Sequence, residues 1–495
     1  MSTSPLAPIA PIERLRSNVP GLDEILGGGL FRTGVYIVQG LPGCGKTILA
    51  NQICYGHVAE GGSAVYVTLL AESHARMIQH LSMLSFFDIR AFPDRLAYIS
   101  AFHDLEAGGL KGLMDVLRRE MRTRKVGVLV LDGLVAAADI ADTDLDLKKF
   151  VHELQGLAVL QDCTVLLLTS GNLQRMAAEH TMVDGLIELD DELFDARAER
   201  AIQVRKFRGA GPLRGKHAMR IDSDGVRVFP RIESVYRHAS TLAPQGAVLG
   251  SGVASLDALL AAGGLPACSS TVVIGSTGTG KTTLGLHFLH ASTPQAPGLH
   301  LSFFEGPERL RGKARALGMP LERLEATGAV ELMWQPPGEA LLDEIAERLL
   351  GAVTKRRVRR LVIDGLSGFL EAAVYPERIN RFFSCLTNEL RGRGVTVLMT
   401  LETRDVVSSV ISMPWGVSGI VDNLFFVRFV HDQGRVERLL TIVKMRDTDY
   451  EAGLRRLRIS SSGLQVAGIY RADGDVIPSA EPVVKPDGPA AAAST

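Results

Sequence analysis

The sequence predicts an α/β protein made of two tandem modules, each a mainly parallel sheet flanked by helices. Three observations carry that expectation. Apolar runs short enough to be strands alternate with helical stretches, the pattern of strand–helix–strand units. Landmarks in the first half recur in the second at a nearly constant offset. The two halves also open on the same glycine-rich octapeptide, Gly40-Leu41-Pro42-Gly43-Cys44-Gly45-Lys46-Thr47 and Gly275-Ser276-Thr277-Gly278-Thr279-Gly280-Lys281-Thr282.

The repeat can be checked by subtraction. Asp23 recurs as Asp257, 234 residues on; Lys46 as Lys281, 235 on; Asp132 as Asp364, 232 on; Arg208 as Arg446, 238 on. Each module therefore has the size of one domain. The expected division is a disordered start at 1–11, a first domain at 12–231, a linker at 232–247, a second domain at 248–472 and a Pro/Ala-rich disordered tail at 473–495. Pro230, Pro244 and Gly246 mark the linker, and Ala490-Ala491-Ala492-Ala493 typifies a tail with too little apolar bulk to fold.

In the first module, Val35–Val38 reads as the strand before the loop and Ile48-Leu49-Ala50 as the start of the helix after it. Ala64–Thr68 is a strand, followed by an amphipathic helix over about Ser73–Ser85. Val126–Leu131 and Thr164–Thr169 are uninterrupted apolar strands. The second module matches with Thr271–Ile274, Leu299–Phe303, Arg360–Ile363 and Val395–Thr400. Unbroken apolar strands fit a sheet covered on both faces.

Composition narrows the function. The 495 residues are 46% hydrophobic and 22% charged, and 54 Lys+Arg against 55 Asp+Glu leave a formal charge of −1. A chain that grips many nucleic-acid phosphates ordinarily carries a basic excess, so the balance argues against nucleic acid as a partner. The first residues lack the basic segment and apolar core of a signal peptide. Asp132 interrupts the longest apolar run after Val126, short of the ~18–20 residues a membrane helix needs, so no membrane span is expected. Five cysteines with no metal-ligand spacing read as reduced thiols in a cytoplasmic protein. Cys44 sits inside the first loop, where its oxidation would interfere with binding, or where it is only a small residue.

Both octapeptides fit G-x-x-x-x-G-K-[ST] in its strand–loop–helix setting, which cradles a nucleotide. Gly40, Gly43, Gly45 and Gly275, Gly278, Gly280 let backbone N–H groups approach phosphate oxygens, helped by the positive end of the following helix. Lys46 and Lys281 reach the outer phosphates of ATP, and Thr47 and Thr282 hold Mg²⁺. Asp132 and Asp364 each end an apolar strand beside the loop. They are expected to order the Mg²⁺, the plainer alternative being an Asp that caps the next turn.

Hydrolysis also needs a group to orient or deprotonate water. Glu72 and Glu305 stand just beyond the strand that follows each loop helix, within reach of such a role. The alternative is a carboxylate favoured by the helix dipole. Lys206-Phe207-Arg208 and Lys444-Met445-Arg446 close β-like runs, with two cations alternating onto one face. They read as a phosphate clamp or as a solvated edge.

Together the paired loops, the matching aspartates and the K-x-R motifs resemble the KaiC family, over about Ile12 to Val476. The resemblance implies two RecA-like P-loop ATPase domains that bind ATP between adjacent subunits of a double-ring homohexamer. It implies that Lys206 and Arg208, and Lys444 and Arg446, reach the γ-phosphate held by a neighbouring subunit. It also implies a regulatory or signalling role, with clock or signalling proteins as partners, and a Ser/Thr autokinase activity in the second ring. Two departures stand out. The family commonly has two adjacent glutamates at the catalytic strand end, the first usually assigned as general base; here Ala71 and Phe304 replace it, leaving Glu72 and Glu305. The family's adjacent Ser-Thr phosphorylation pair is Ser418 followed by Gly419. Two other readings stay open from the residues alone: a DNA-dependent recombination or helicase motor, and a nucleotide-gated scaffold with little turnover.

Overall fold

A computed structural model describes residues 13–69, 74–170, 182–194, 196–236, 247–336, 338, 340–403, 417–432 and 434–470. The expected disordered termini at 1–11 and 473–495 and most of the expected linker lie outside these residues. The chain divides into two compact units, Met1–Arg237 and His238–Thr495.

In the first unit the strands are β1 (Val35–Gly40), β2 (Ala64–Thr68), β3 (Leu96–Ser100), β4 (Val128–Asp132), β5 (Thr164–Thr169), β6 (Gly185–Phe194), β7 (Arg197–Phe207), β8 (Lys216–Asp222) and β9 (Gly225–Phe229). They form one sheet in the order β3-β2-β4-β5-β1-β6-β7-β8-β9. The pairings from β3 through β6 are parallel; β7, β8 and β9 continue antiparallel. The main helices are α1 (Lys46–Ala59), α2 (His74–Leu81), α3 (Phe102–Arg124) and α4 (Asp144–Leu160).

The second unit repeats this arrangement with β10 (Ser270–Gly275), β11 (Gly298–Ser302), β12 (Val330–Trp334), β13 (Arg360–Asp364), β14 (Thr396–Glu402), β15 (Asn423–Asp432), β16 (Arg435–Lys444), β17 (Arg455–Ser460) and β18 (Gly463–Ile469). Its order, β12-β11-β13-β14-β10-β15-β16-β17-β18, is the same topology strand for strand. The loop helix is α5 (Lys281–His290), followed by α6 (Pro307–Ala316), α7 (Leu342–Arg356) and α8 (Ile379–Gly392).

Uninterrupted apolar strands have the two-sided cover that they predict. Along β1, Val35 and Ile37 pack into the core on one face of the sheet, while Tyr36 and Val38 pack into the core on the other. The alternation continues in β4, where Leu129 and Leu131 face the first core and Val128 and Val130 the second. The repeated aspartates Asp23 and Asp257 are structural. Each carboxylate accepts a backbone N–H six residues earlier, from Ser17 at 2.9 Å and from Ser251 at 2.8 Å, closing the turn before a short helix.

Three boundaries differ from expectation. The helix after β2 runs only over His74–Leu81, because the chain turns at Ser82–Leu84 to bring Phe86 and Phe87 against the core. Ile232–Val235, assigned to the linker, is a helical turn with Ile232 buried in the first unit. Strand β7 ends at Phe207, so Arg208 lies one residue past it, and β16 ends at Lys444, two residues before Arg446.

Leu131 is fully buried, so Leu131→Ala should cost about 2–5 kcal/mol. A urea titration read on the first unit should show the midpoint falling with the slope unchanged.

Candidate functional site

Each loop leaves the C-terminal end of its unit's central strand and feeds a helix directly. Gly45 and Gly280 are the residues before α1 and α5, with φ near +103° and +102°. That left-handed conformation suits glycine. A Cβ would also lie 2.3 Å from Ile221 Cδ1 in one unit and 2.6 Å from Ile459 Cδ1 in the other. The loop lysines fold back over the loops. Lys46 Nζ donates to the carbonyls of Gly40 (2.8 Å) and Leu41 (2.9 Å), and Lys281 Nζ to those of Gly275 (2.7 Å) and Ser276 (2.8 Å). Burial pushes the Cys44 thiol's pKa up against the pull of Lys46, so this cysteine packs beneath the loop as a thiol.

The strand-end aspartates meet the loops through different partners. Thr47 Oγ1 donates to Asp132 Oδ2 at 3.4 Å, and the buried Tyr66 hydroxyl donates to the same oxygen at 2.6 Å. In the second unit Thr400 Oγ1 donates to Asp364 Oδ1 at 2.6 Å, while His300, the counterpart of Tyr66, stands 4.0 Å from Oδ2. A hydroxyl beside a carboxylate is a hard oxygen donor set suited to Mg²⁺.

A cleft of about 540 Å³ opens over the second loop, lined by Lys281, Thr282, Glu305, Asp364 and Glu402 among others. The structure thus brings Glu305 to the loop but not as a free base: Lys313 Nζ donates to both of its oxygens at 2.8 Å. Phe304 lies half-exposed with its ring against Gly365. Glu72 lies outside the described residues. So does the Ser418 side chain, whose backbone belongs to the helical turn Val417–Ile420. The first unit has a smaller, more apolar cleft of about 370 Å³ between Thr47, Asp132, His74, Met77 and Met83.

The K-x-R cations are not beside their own unit's loop. Arg208 Nη1 donates to the Met182 carbonyl at 3.1 Å, and its backbone N–H to Asp184 O at 2.7 Å. Lys444 Nζ donates to Val421 O at 2.8 Å, and Arg446 pairs with Asp422 at 3.3 Å. Asp184 and Asp422 precede β6 and β15 and accept N–H groups from Val35 and Ser270, the first residues of β1 and β10. The cations therefore occupy the end of the sheet opposite the loop, roughly 16 Å away at ~3.3 Å per residue. A bulge skips Arg205 in one unit and Val443 in the other, one residue before each lysine. Bulges re-aim side chains at such places. Burial lowers the pKa of both lysines, reinforced by the adjacent arginine and opposed by the nearby aspartate.

Asp184 and Asp422 went unnoticed in the sequence, although they recur at the same offset of 238 as the K-x-R motifs. Thr400 and Glu402 were also missed; their signal is a polar pair spaced by two at the end of an apolar strand.

The family model described as ATPase: KaiC matches residues 15–233 and again 249–470. The chain belongs to the KaiC ATPase family. Similar proteins include the circadian clock oscillator protein KaiC of Picosynechococcus sp., 25% identical over 477 residues that cover 94% of this chain and 91% of that relative. The circadian clock oscillator protein KaiC 1 of Synechocystis sp. is 24% identical, with 94% and 91% covered. The circadian clock protein KaiC3 of Synechocystis sp. is 23% identical, with 93% of each chain covered. Membership supports ATP binding and ATPase activity for this KaiC-family chain. Among the described residues no helix is long and apolar enough to cross a membrane.

Asp422 carries a pH dependence. Burial raises its pKa, but the Ser270 N–H and hydroxyl and the Arg391 guanidinium more than offset that, leaving it below the ordinary value. A depressed carboxylate stabilises the fold fully above its unfolded value of about 4, and that stability is lost as pH falls through the depressed value. Asp422→Asn should lower the second unit's thermal midpoint at pH 7 and flatten its loss on acidification below about pH 4. Differential scanning calorimetry across pH would check both.

Proposed function

We propose that this chain is a Mg²⁺-dependent ATPase that assembles as a double-ring homohexamer and serves as a regulatory module for signalling or clock-type protein partners. The observation that carries the assembly is the placement of the two charged motifs. Lys206 and Arg208 stand at one end of a parallel sheet and the loop of Lys46 at the other, and Lys444 and Arg446 repeat this against Lys281. Cations so far from their own loop are placed to meet a γ-phosphate presented by another subunit.

Within each site the loop N–H groups and Lys46 or Lys281 would bind the β- and γ-phosphates. Thr47 with Asp132, and Thr282 with Asp364, would hold Mg²⁺, which when bound neutralises charge on the phosphate oxygens. Glu72 and Glu305 are the motif-derived candidates for orienting water. The arginines then add positive charge to the transferred phosphoryl group from a neighbouring subunit. A finer version adds autophosphorylation at Ser418, where Gly419 rules out a two-residue Ser-Thr cycle. The salt bridge from Lys313 onto Glu305 favours a second reading, a nucleotide-gated scaffold with slow turnover.

Light scattering with ATP and Mg²⁺ should give six times the chain mass, and Arg208→Ala with Arg446→Ala should reduce ATP turnover while leaving the fold intact. A persistent monomer would remove the trans arrangement. Single-stranded DNA stimulating turnover in a salt-sensitive way would restore the motor reading.

The loop lysines should divide their labour. Losing charge-assisted hydrogen bonds worth about 1.5–3 kcal/mol, Lys46→Ala and Lys281→Ala should each weaken ATP binding roughly 10- to 100-fold at their own site. Assembly should suffer mainly from Lys46→Ala. Titration with a fluorescent ATP analogue, paired with sedimentation, separates the two; identical effects would contradict the division. After incubation with ATP and Mg²⁺, mass spectrometry should find phosphate on Ser418 if the autokinase version holds.

A further inference from the structure

The second unit's cleft contains a carboxylate that no sequence motif marks. Strand β14 runs between β13, which ends at Asp364, and β10, which ends at Gly275 at the head of the loop. The parallel register pairs Asp364 with Thr400 on one side and Gly275 with Glu402 on the other. Residues two apart on a strand project to the same face. Thr400 turns its hydroxyl to Asp364, so Glu402 stands on the Asp364 side of the sheet, one step closer to the loop.

Glu402 is exposed and lines the cleft with Lys281, Thr282 and Asp364. It is near enough for its charge to act on the Lys281 ammonium, where it opposes the effect of burial. Among the described residues its carboxylate has no hydrogen-bond partner. Glu305, in the same cleft, has an ammonium across both oxygens. That ammonium already occupies both Glu305 oxygens, whereas those of Glu402 are open to a water. The first unit has no acid at the matching place. Gln39 pairs with Thr169, which sets Ser170 opposite Gly40, and Leu168 stands where the second unit has Thr400.

We propose that Glu402 is the group that orients and deprotonates the attacking water in the second unit. The proposal rests on the ATPase reading above. In the step, the water oxygen forms a bond to the γ-phosphorus as the bond from that phosphorus to the β–γ bridging oxygen breaks. The water proton passes to the Glu402 carboxylate and from there to solvent, and ADP and inorganic phosphate leave. No oxidant or reductant is involved.

The test uses the full-length chain carrying Asp132→Asn, which silences the first unit while leaving its loop to hold nucleotide. In that background Glu402→Gln should reduce ADP release by about 100-fold, the lower end of what a positioned base contributes. It should also abolish the acid limb of the pH–rate profile, while a fluorescent ATP analogue still binds the second site. Glu402→Asp should keep the acid limb at a reduced rate, and the acid limb should persist in Glu305→Gln. Turnover that is unchanged or raised in Glu402→Gln, or an acid limb that persists there, would overturn the proposal. So would loss of turnover in Glu305→Gln instead, or an Asp132→Asn parent that binds ATP without releasing ADP. Failure of the unmodified chain to bind ATP at all would sink the ATPase reading itself, a different outcome from all of these.

Discussion

Polarity of a parallel sheet is the constraint on which the rest depends. All strands from β3 to β6 point the same way, so their C-terminal ends form one edge and their N-terminal ends another. The glycine loop, the strand-end aspartate and the cleft belong to the first edge. The K-x-R cations belong to the second, held beside Asp184 and Asp422, which also anchor the first residue of the loop-bearing strand. Short apolar strands buried on both faces make the separation rigid. Six residues of β1 or β10 set the distance between the two charged ends.

Much of this was legible in the sequence. Two octapeptides in the same strand–loop–helix setting, repeated at a steady offset, established the duplicated α/β design and the loops. Unbroken apolar runs such as Val126–Leu131 identified the buried strands to within two residues. What resisted was anything decided by cross-strand pairing. Thr400 read simply as the end of a strand, with Glu402 beyond it, until register put them opposite Asp364 and Gly275. The ion pair between Lys313 and Glu305 joins a loop to a helix eight residues on, and nothing in local spacing separates it from other exposed charges. Asp184 and Asp422 were overlooked because a lone Asp before a strand resembles any turn residue; only the duplication distinguishes them.

The two units share a topology but not a chemistry. Asp132 is held by a tyrosine hydroxyl and the loop threonine, in a cleft walled by methionine and histidine. Asp364 is held by a threonine from the neighbouring strand, in a larger and more polar cleft with two glutamates. A hydroxyl donates to the carboxylate in both cases. The surrounding charge differs enough that the two sites need not turn over alike.

The opposite placement of loop and cations has a consequence for symmetry. An interface that joins one edge of a module to the other edge of its neighbour brings together two unlike patches. Such a contact is heterologous, so a twofold dimer cannot satisfy it; copies add head to tail until the rotation closes a ring or the assembly grows as a filament. Both modules carry the same arrangement on one chain, so if each closed into a ring, the two rings would contain equal numbers of copies. Closure of one would then set the stoichiometry available to the other.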